Sequence, residues 1–213
     1  TQAQEMAGHA IAEAVKRSKV SKEEIDDVII GAAGQQGSQQ GNVARQSLLR
    51  AGLPVSVAGM SLDRQCASGM MAIATAAKEI TEDGMTITVG GGVESVSLVR
   101  NENFRMDRAR DPWLEENIPS LYMTMIETAE NVAKRYGISR EAQDEYSLQS
   151  QMRTARAQQN GYMDKEIVPL KSTMKYKDKE TGEISSHDVC IEKDEGNRPC
   201  LLYTSPSPRD LLG

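Results

Sequence analysis

The 213-residue sequence has no apolar run long enough to cross a membrane. The longest, Gly69 to Ala77, falls far short of the roughly 20 residues a spanning helix needs. No signal peptide is visible, although the chain opens at Thr1, already in a helical pattern and without an initiator methionine. Cysteine is scarce: Cys66, Cys190 and Cys200 are widely spaced, with no CxxC and no Cys/His cluster. That pattern excludes a disulfide framework and predicts no metal site, and it fits a reducing, intracellular setting. There is no excess of positive charge. A net charge of −6 and a pI near 5.1 exclude a general binder of nucleic-acid backbones, while leaving room for a local basic patch on an anionic ligand. No internal repeat occurs, and neither GxGxxG nor GxxxxGKS is present, so no phosphate loop is predicted.

What is present is a globular composition, 38% hydrophobic and 26% charged, on a chain long enough for a sizeable core. "AQEMAGHAIAEAVKRS" places Met6, Ala10, Ile11, Ala14 and Val15 at helical spacing, with Lys16 and Arg17 at the C-terminal end. Val28 to Ile30 reads as a short buried strand stopped by Gly31. "VARQSLLRAG" reads as a helix ending at Gly52, and "PVSVAGMSL" as a strand. A helix over 67–80 follows, then a strand from Met85 to Val89 and a tight turn at Gly90–Gly92. Helices alternating with strands predict an α/β fold with a mixed, mostly parallel sheet. After Ser97 the chain turns polar. Two helices ("MIETAENVAKRYG", and one capped by Ser139 with Gly161 after its end) precede strands joined by a Thr181–Gly182 turn. The expected organisation is a core over 1–97, a more polar subdomain over 98–199, and a tail over 200–213 that fits neither pattern.

The residue with chemical promise is Cys66. A strand leads in and a helix leads out, so its thiol lies near unpaired N–H groups and the positive end of a helix dipole, which favour a thiolate. Gly69 lets another backbone or a ligand approach, and the apolar helix behind it would make a rigid mount. Physically the residue reads either as a nucleophile or as a small buried thiol. Glu94 reads as an acid/base or, more simply, as a structural carboxylate that braces the nucleophile loop; His9 reads as structural or exposed, His187 as solvated and Cys190 as structural. Arg105, Arg108 and Arg110 read as a solvated loop or an anion patch.

"RQCASG", followed by "GGGVES", resembles the thiolase family. "GNVARQSLLRAGLP", "TAENVAKRYGISREAQDEYSLQSQ", "NGYMDKEIVP" and "KDEGNRP" are similar to further thiolase segments in the same order. The resemblance implies a layered αβα thiolase half, lacking its first strand, with part of an inserted loop domain over 98–199. It implies acyl exchange between coenzyme A thioesters, with Cys66 as nucleophile and its backbone N–H as a possible oxyanion donor. Met125 would line the pantetheine channel, next to Thr124 where many relatives carry His. Coenzyme A would be a co-substrate, with no tightly bound cofactor and no metal. The expected partners are acyl-CoA substrates and further copies of the chain, as a homodimer or homotetramer, with no nucleic acid and no membrane. The expected setting is the cytoplasm or an organelle matrix.

The family's Asn-Glu-Ala-Phe, Gly-His-Pro and Cys-x-Gly-Gly-Gly segments do not occur. The family pattern stops at Pro199, so residues 200–213 are expected to be a non-native tail. These 213 residues alone are expected to be inactive. A ketoacyl synthase-like condensing enzyme and a non-catalytic thiolase-like lipid-binding or scaffold protein are the alternatives.

Overall fold

A computed structural model describes residues 1–179 and 181–198. The expected tail over 200–213, Cys200 included, lies outside the described residues. The described residues form two compact units, Thr1–Met106 with Val168–Ile191, and Asp107–Ile167 with 192–198.

The first unit is built on α1 (Ala3–Ser18), β1 (Asp27–Gly31), α2 (Val43–Arg50), β2 (Ala58–Leu62), α3 (Ser68–Thr81) and β3 (Thr88–Gly92). The three strands form a parallel sheet in the order β2-β1-β3. In β1 every residue is buried, and its side chains alternate between two layers. Val28 and Ile30 join Ile11 of α1 and Val43, Ala44 and Leu48 of α2 in one core. Ile29 points the other way and packs with Ala72 and Ala76 of α3. Burial of each such branched side chain contributes about 1.5–3 kcal/mol, which fixes the strand in the middle of an α/β/α sandwich.

The segment resembling "GNVARQ" acts as a clamp between α2 and β2. Asn42 caps α2 by accepting the Arg45 N–H and donates to the Gly59 carbonyl at 2.8 Å. Arg45 donates to the carbonyls of Val55, at 2.8 Å, and Val57. Those carbonyls are diverted from the sheet, so β2 begins only at Ala58 and the strand expected from Pro54 is shorter than its composition predicts.

Two expectations about glycine are corrected. The third strand lies at Thr88–Gly92 rather than at 85–89, and Gly90–Gly92 belong to it instead of forming a turn. None of the three has positive φ. Their role is proximity. A Cβ on Gly90 would lie 2.8 Å from the Ile73 Cα, and one on Gly92 would lie 3.1 Å from the Gly69 Cα. The first is closer than a real Cβ comes and the second is tighter than most Cβ contacts, so a glycine run lets α3 lie directly against β3. The helix itself starts at Ser68, one residue later than expected. It buries the stripe Ser68, Ala72, Ala76 and Glu79, whereas Met70, Ile73 and Ile80 are exposed.

Also in this unit are the short helix α4 (Val96–Val99) and an antiparallel hairpin of β4 (Leu170–Lys177) and β5 (Ile184–Ile191). Cys190 is exposed on β5. Among the described residues its strand pairs with β4 alone.

The second unit holds α5 (Pro112–Asn117), α6 (Met125–Tyr136) and α7 (Arg140–Gln159). Its helix ends are well specified. Asp111 caps α5 with Pro112 in its first turn, Thr124 and Glu127 form a reciprocal capping box on α6, and Ser139 caps α7. Gly137 and Gly161 take φ of 62° and 69° after the ends of α6 and α7.

Candidate active site

The strands of a parallel sheet all point one way, so the loops that leave them gather at one edge. That edge, outside the carboxyl ends of the strands, is where α/β folds place their ligand sites. Here the last residues of the three strands stand in register: Gly31 opposite Leu62 on one side and Gly92 on the other. Two hydrogen bonds extend the sheet past its formal end, Ala32 N–H to the Leu62 carbonyl and Val93 N–H to the Gly31 carbonyl, each 3.0 Å. From this edge leave the segments carrying Ala33–Gln39, Asp63–Ala67 and Glu94–Ser95.

Cys66 lies on the middle of these segments, two residues before α3, and is exposed. It is therefore not the small buried thiol that composition alone allowed. The turn that presents it is braced along its length. Asp63 Oδ1 accepts the Gln65 N–H at 2.7 Å. Ser68 Oγ accepts the Arg64 N–H at 2.8 Å and donates to the Gln65 carbonyl at 2.6 Å. The Ser68 N–H donates to that same carbonyl at 3.1 Å. Inside this frame Gln65 has φ of 50°, a left-handed conformation that residues with a side chain rarely adopt.

Glu94 does brace this edge, but it braces the loop after β1 rather than the cysteine turn. Its carboxylate accepts from Ala33 N–H at 2.8 Å, Gly34 N–H at 3.3 Å and Gln39 Nε2 at 2.7 Å. Gln39, fully buried, also donates to the Gly34 carbonyl and accepts the Ser95 N–H. The carboxylate's acceptor capacity is taken up by the fold, as expected of a structural group.

Met125 belongs to the second unit. It is the first residue of α6 and 72% exposed. Thr124, noted in sequence only as a replacement for His, is the N-cap of that helix. Glu127 accepts both its N–H and its hydroxyl at 2.8 Å, and these bonds hold the Glu127 carboxyl below its usual range. His9 is half-buried on α1 with its Nε2 unpartnered, and His187 is exposed on β5 beside Ser185. Among the described residues no group of His, Cys, Asp and Glu could hold a metal ion, and no helix is long and apolar enough to cross a membrane.

Comparison with known proteins agrees with this architecture. The family description "Thiolase, N-terminal domain" matches residues 1–201. This chain belongs to the thiolase family. A beta-ketoadipyl-CoA thiolase of Pseudomonas putida is 38% identical over 194 residues, covering 84% of this chain and 46% of the relative. A 3-ketoacyl-CoA thiolase of Bacillus subtilis is 37% identical over 191 residues, covering 89% and 48%. The crystal structure of the Bacillus anthracis acetyl-CoA acetyltransferase superposes with a TM-score of 0.74 at 33% identity, over 100% of this chain and 52% of that one. The chain thus spans about half the length of the thiolases it matches. On this edge the sequence singles out Cys66 and Glu94, whereas the contacts of Gly31, Gln65 and Ser68 emerge only from the fold. Ser68 stands in the "RQCASG" segment, but its hydrogen bonds cannot be read from the letters.

Proposed function

We propose that the full-length protein carrying this chain transfers acyl groups between coenzyme A thioesters through an acyl-Cys66 intermediate. In the degradative direction the Cys66 thiolate attacks the 3-keto carbon of a 3-ketoacyl-CoA. The C2–C3 bond breaks, the two-carbon fragment leaves as the enolate of acetyl-CoA and is protonated, and the acyl group remains on sulfur. The thiolate of a second coenzyme A then takes the acyl group and frees Cys66. Run in reverse with two acetyl units, the same steps form acetoacetyl-CoA. The carrying observation is the exposed Cys66 on a hydrogen-bonded turn at the carboxyl edge of the sheet, immediately ahead of the N-terminus of α3. The reading assigns the Cys66 N–H to the acyl oxyanion.

The reading includes Met125 against the pantetheine arm, coenzyme A as a co-substrate rather than a resident cofactor, assembly as a homodimer or homotetramer, and a reducing compartment such as the cytoplasm. A role in fatty acid β-oxidation follows if the degradative direction dominates. The test is to incubate the full-length protein with acetyl-CoA and analyse the Cys66 peptide by mass spectrometry. An acetyl adduct on Cys66, absent from Cys66→Ala, is expected. An unmodified peptide would support a scaffold or lipid-binding role instead.

A further inference from the structure

We propose that Ser68 is a positioning residue that aims the Cys66 N–H at the developing oxyanion; this rests on the acyl-transfer reading above. The inference comes from peptide geometry. The Gln65 carbonyl and the Cys66 N–H belong to one planar trans peptide, so they point in opposite directions and turn together. Ser68 grips that carbonyl twice, through its hydroxyl at 2.6 Å and its backbone N–H at 3.1 Å. The Cys66 N–H is thereby directed away from Ser68. Asp63 holds the preceding Arg64–Gln65 peptide by accepting the Gln65 N–H, and Ser68 Oγ holds the one before that by accepting the Arg64 N–H. With both peptides flanking Gln65 held, that residue stays at φ 50° instead of relaxing. Ser68 is itself immobile: it is 4% exposed and wedged against Gly31 of the central strand. The chain thus runs from the core of the sheet through Gly31 and Ser68 to a single N–H at the nucleophile.

Two reactions of Cys66 separate this role from general support. Acetylation by acetyl-CoA forms an Sγ–C bond at a carbonyl, passes through an oxyanion, and releases coenzyme A as its thiolate. Alkylation by iodoacetamide forms an Sγ–C bond with loss of iodide and builds no oxyanion. Both rates are measured on the Cys66 peptide of the full-length protein, beside the thermal midpoint. Ser68→Ala is expected to slow acetylation tenfold or more, in line with a misplaced oxyanion donor, and to change alkylation less than threefold. Asp63→Ala, at an exposed site that leaves the core intact, is expected to show the same split, with acetylation slowed about threefold. Equal losses in both reactions, or unchanged acetylation in either variant, would overturn the proposal. Absence of an acetyl adduct in the unmodified protein would overturn the acyl-transfer reading itself.

Discussion

Gly31 and Ser68 approach so closely that a methyl group on Gly31 would lie 2.2 Å from both the carbonyl carbon and the carbonyl oxygen of Ser68. The end of the central strand therefore abuts the first residue of the helix that follows the cysteine turn. Backbone meets backbone there, so no side-chain rotation can relieve a collision.

Gly31→Ala should consequently destabilise the protein by about 3 kcal/mol or more, since α3 must lift from β1. Gly69→Ala makes the contrast. A Cβ there would meet only Gly92, at an ordinary 3.8 Å, and helix propensity favours Ala by about 1 kcal/mol. Urea denaturation should separate the two variants by about 4 kcal/mol; equal midpoints would show that α3 does not sit against β1 as described.

Removing the Glu94 carboxylate leaves the Ala33 and Gly34 N–H groups without their acceptor and the buried Gln39 amide with one bond fewer. Glu94→Ala should cost about 1–2 kcal/mol. Hydrogen exchange should quicken selectively at Ala33 and Gly34. Glu94→Gln, which keeps one acceptor oxygen, should lose less.

Glu79 lies on the buried stripe of α3, 8% exposed, with its Oε2 unpartnered. Burial, with the Asp27 and Asp83 carboxylates nearby, raises its pKa above the ordinary 4.5. Between the ordinary value and the raised one, the folded state therefore holds a proton there that the unfolded chain has already released. Glu79 weakens the fold as pH rises through that raised value and has no such effect below the unfolded one. Glu79→Gln should be more stable than the natural chain by about 1 kcal/mol at neutral pH. The gap should close as pH falls below the ordinary carboxylate range. Thermal melts across that range test the sign, and a gap that widens on acidification would refute it.

Asp26 behaves in the opposite sense. Its carboxylate accepts the Thr86 N–H at 2.7 Å and the Ile87 N–H at 3.1 Å, and these bonds lower its pKa. Its contribution is complete above the unfolded value of 3.8 and is lost as pH falls through the lower folded one. Asp26→Asn should lower the thermal midpoint at neutral pH, with the deficit vanishing in strong acid.

Much of this was legible in the linear order of residues. Alternating helical and strand patterns predict the α/β class, because periodicity records which face is buried. The ordered thiolase-like segments single out Cys66, and the caps at Ser139, Gly137 and Gly161 are local signals whose partners lie within a turn. Gly90–Gly92 misled for the opposite reason. Read locally, a triple glycine means a turn; in the fold it is a strand stripped of side chains so that a helix can lie on it. Gly31 similarly looked like a strand terminator, whereas its constraint is the Ser68 backbone.

The sequence by itself determined the family, the nucleophile candidate and the layered class, because those depend on residue type, order and short-range periodicity. Tertiary structure alone decided that Cys66 is exposed and that Gln65 is held left-handed. It also decided that Ser68 grips the peptide bearing the Cys66 N–H, and that Glu94 supports a neighbouring loop rather than the nucleophile. Backbone hydrogen-bonding groups are identical in nearly every residue. Which of them meet, and at what distance, is therefore settled by how the strands and helices pack rather than by the letters that name them.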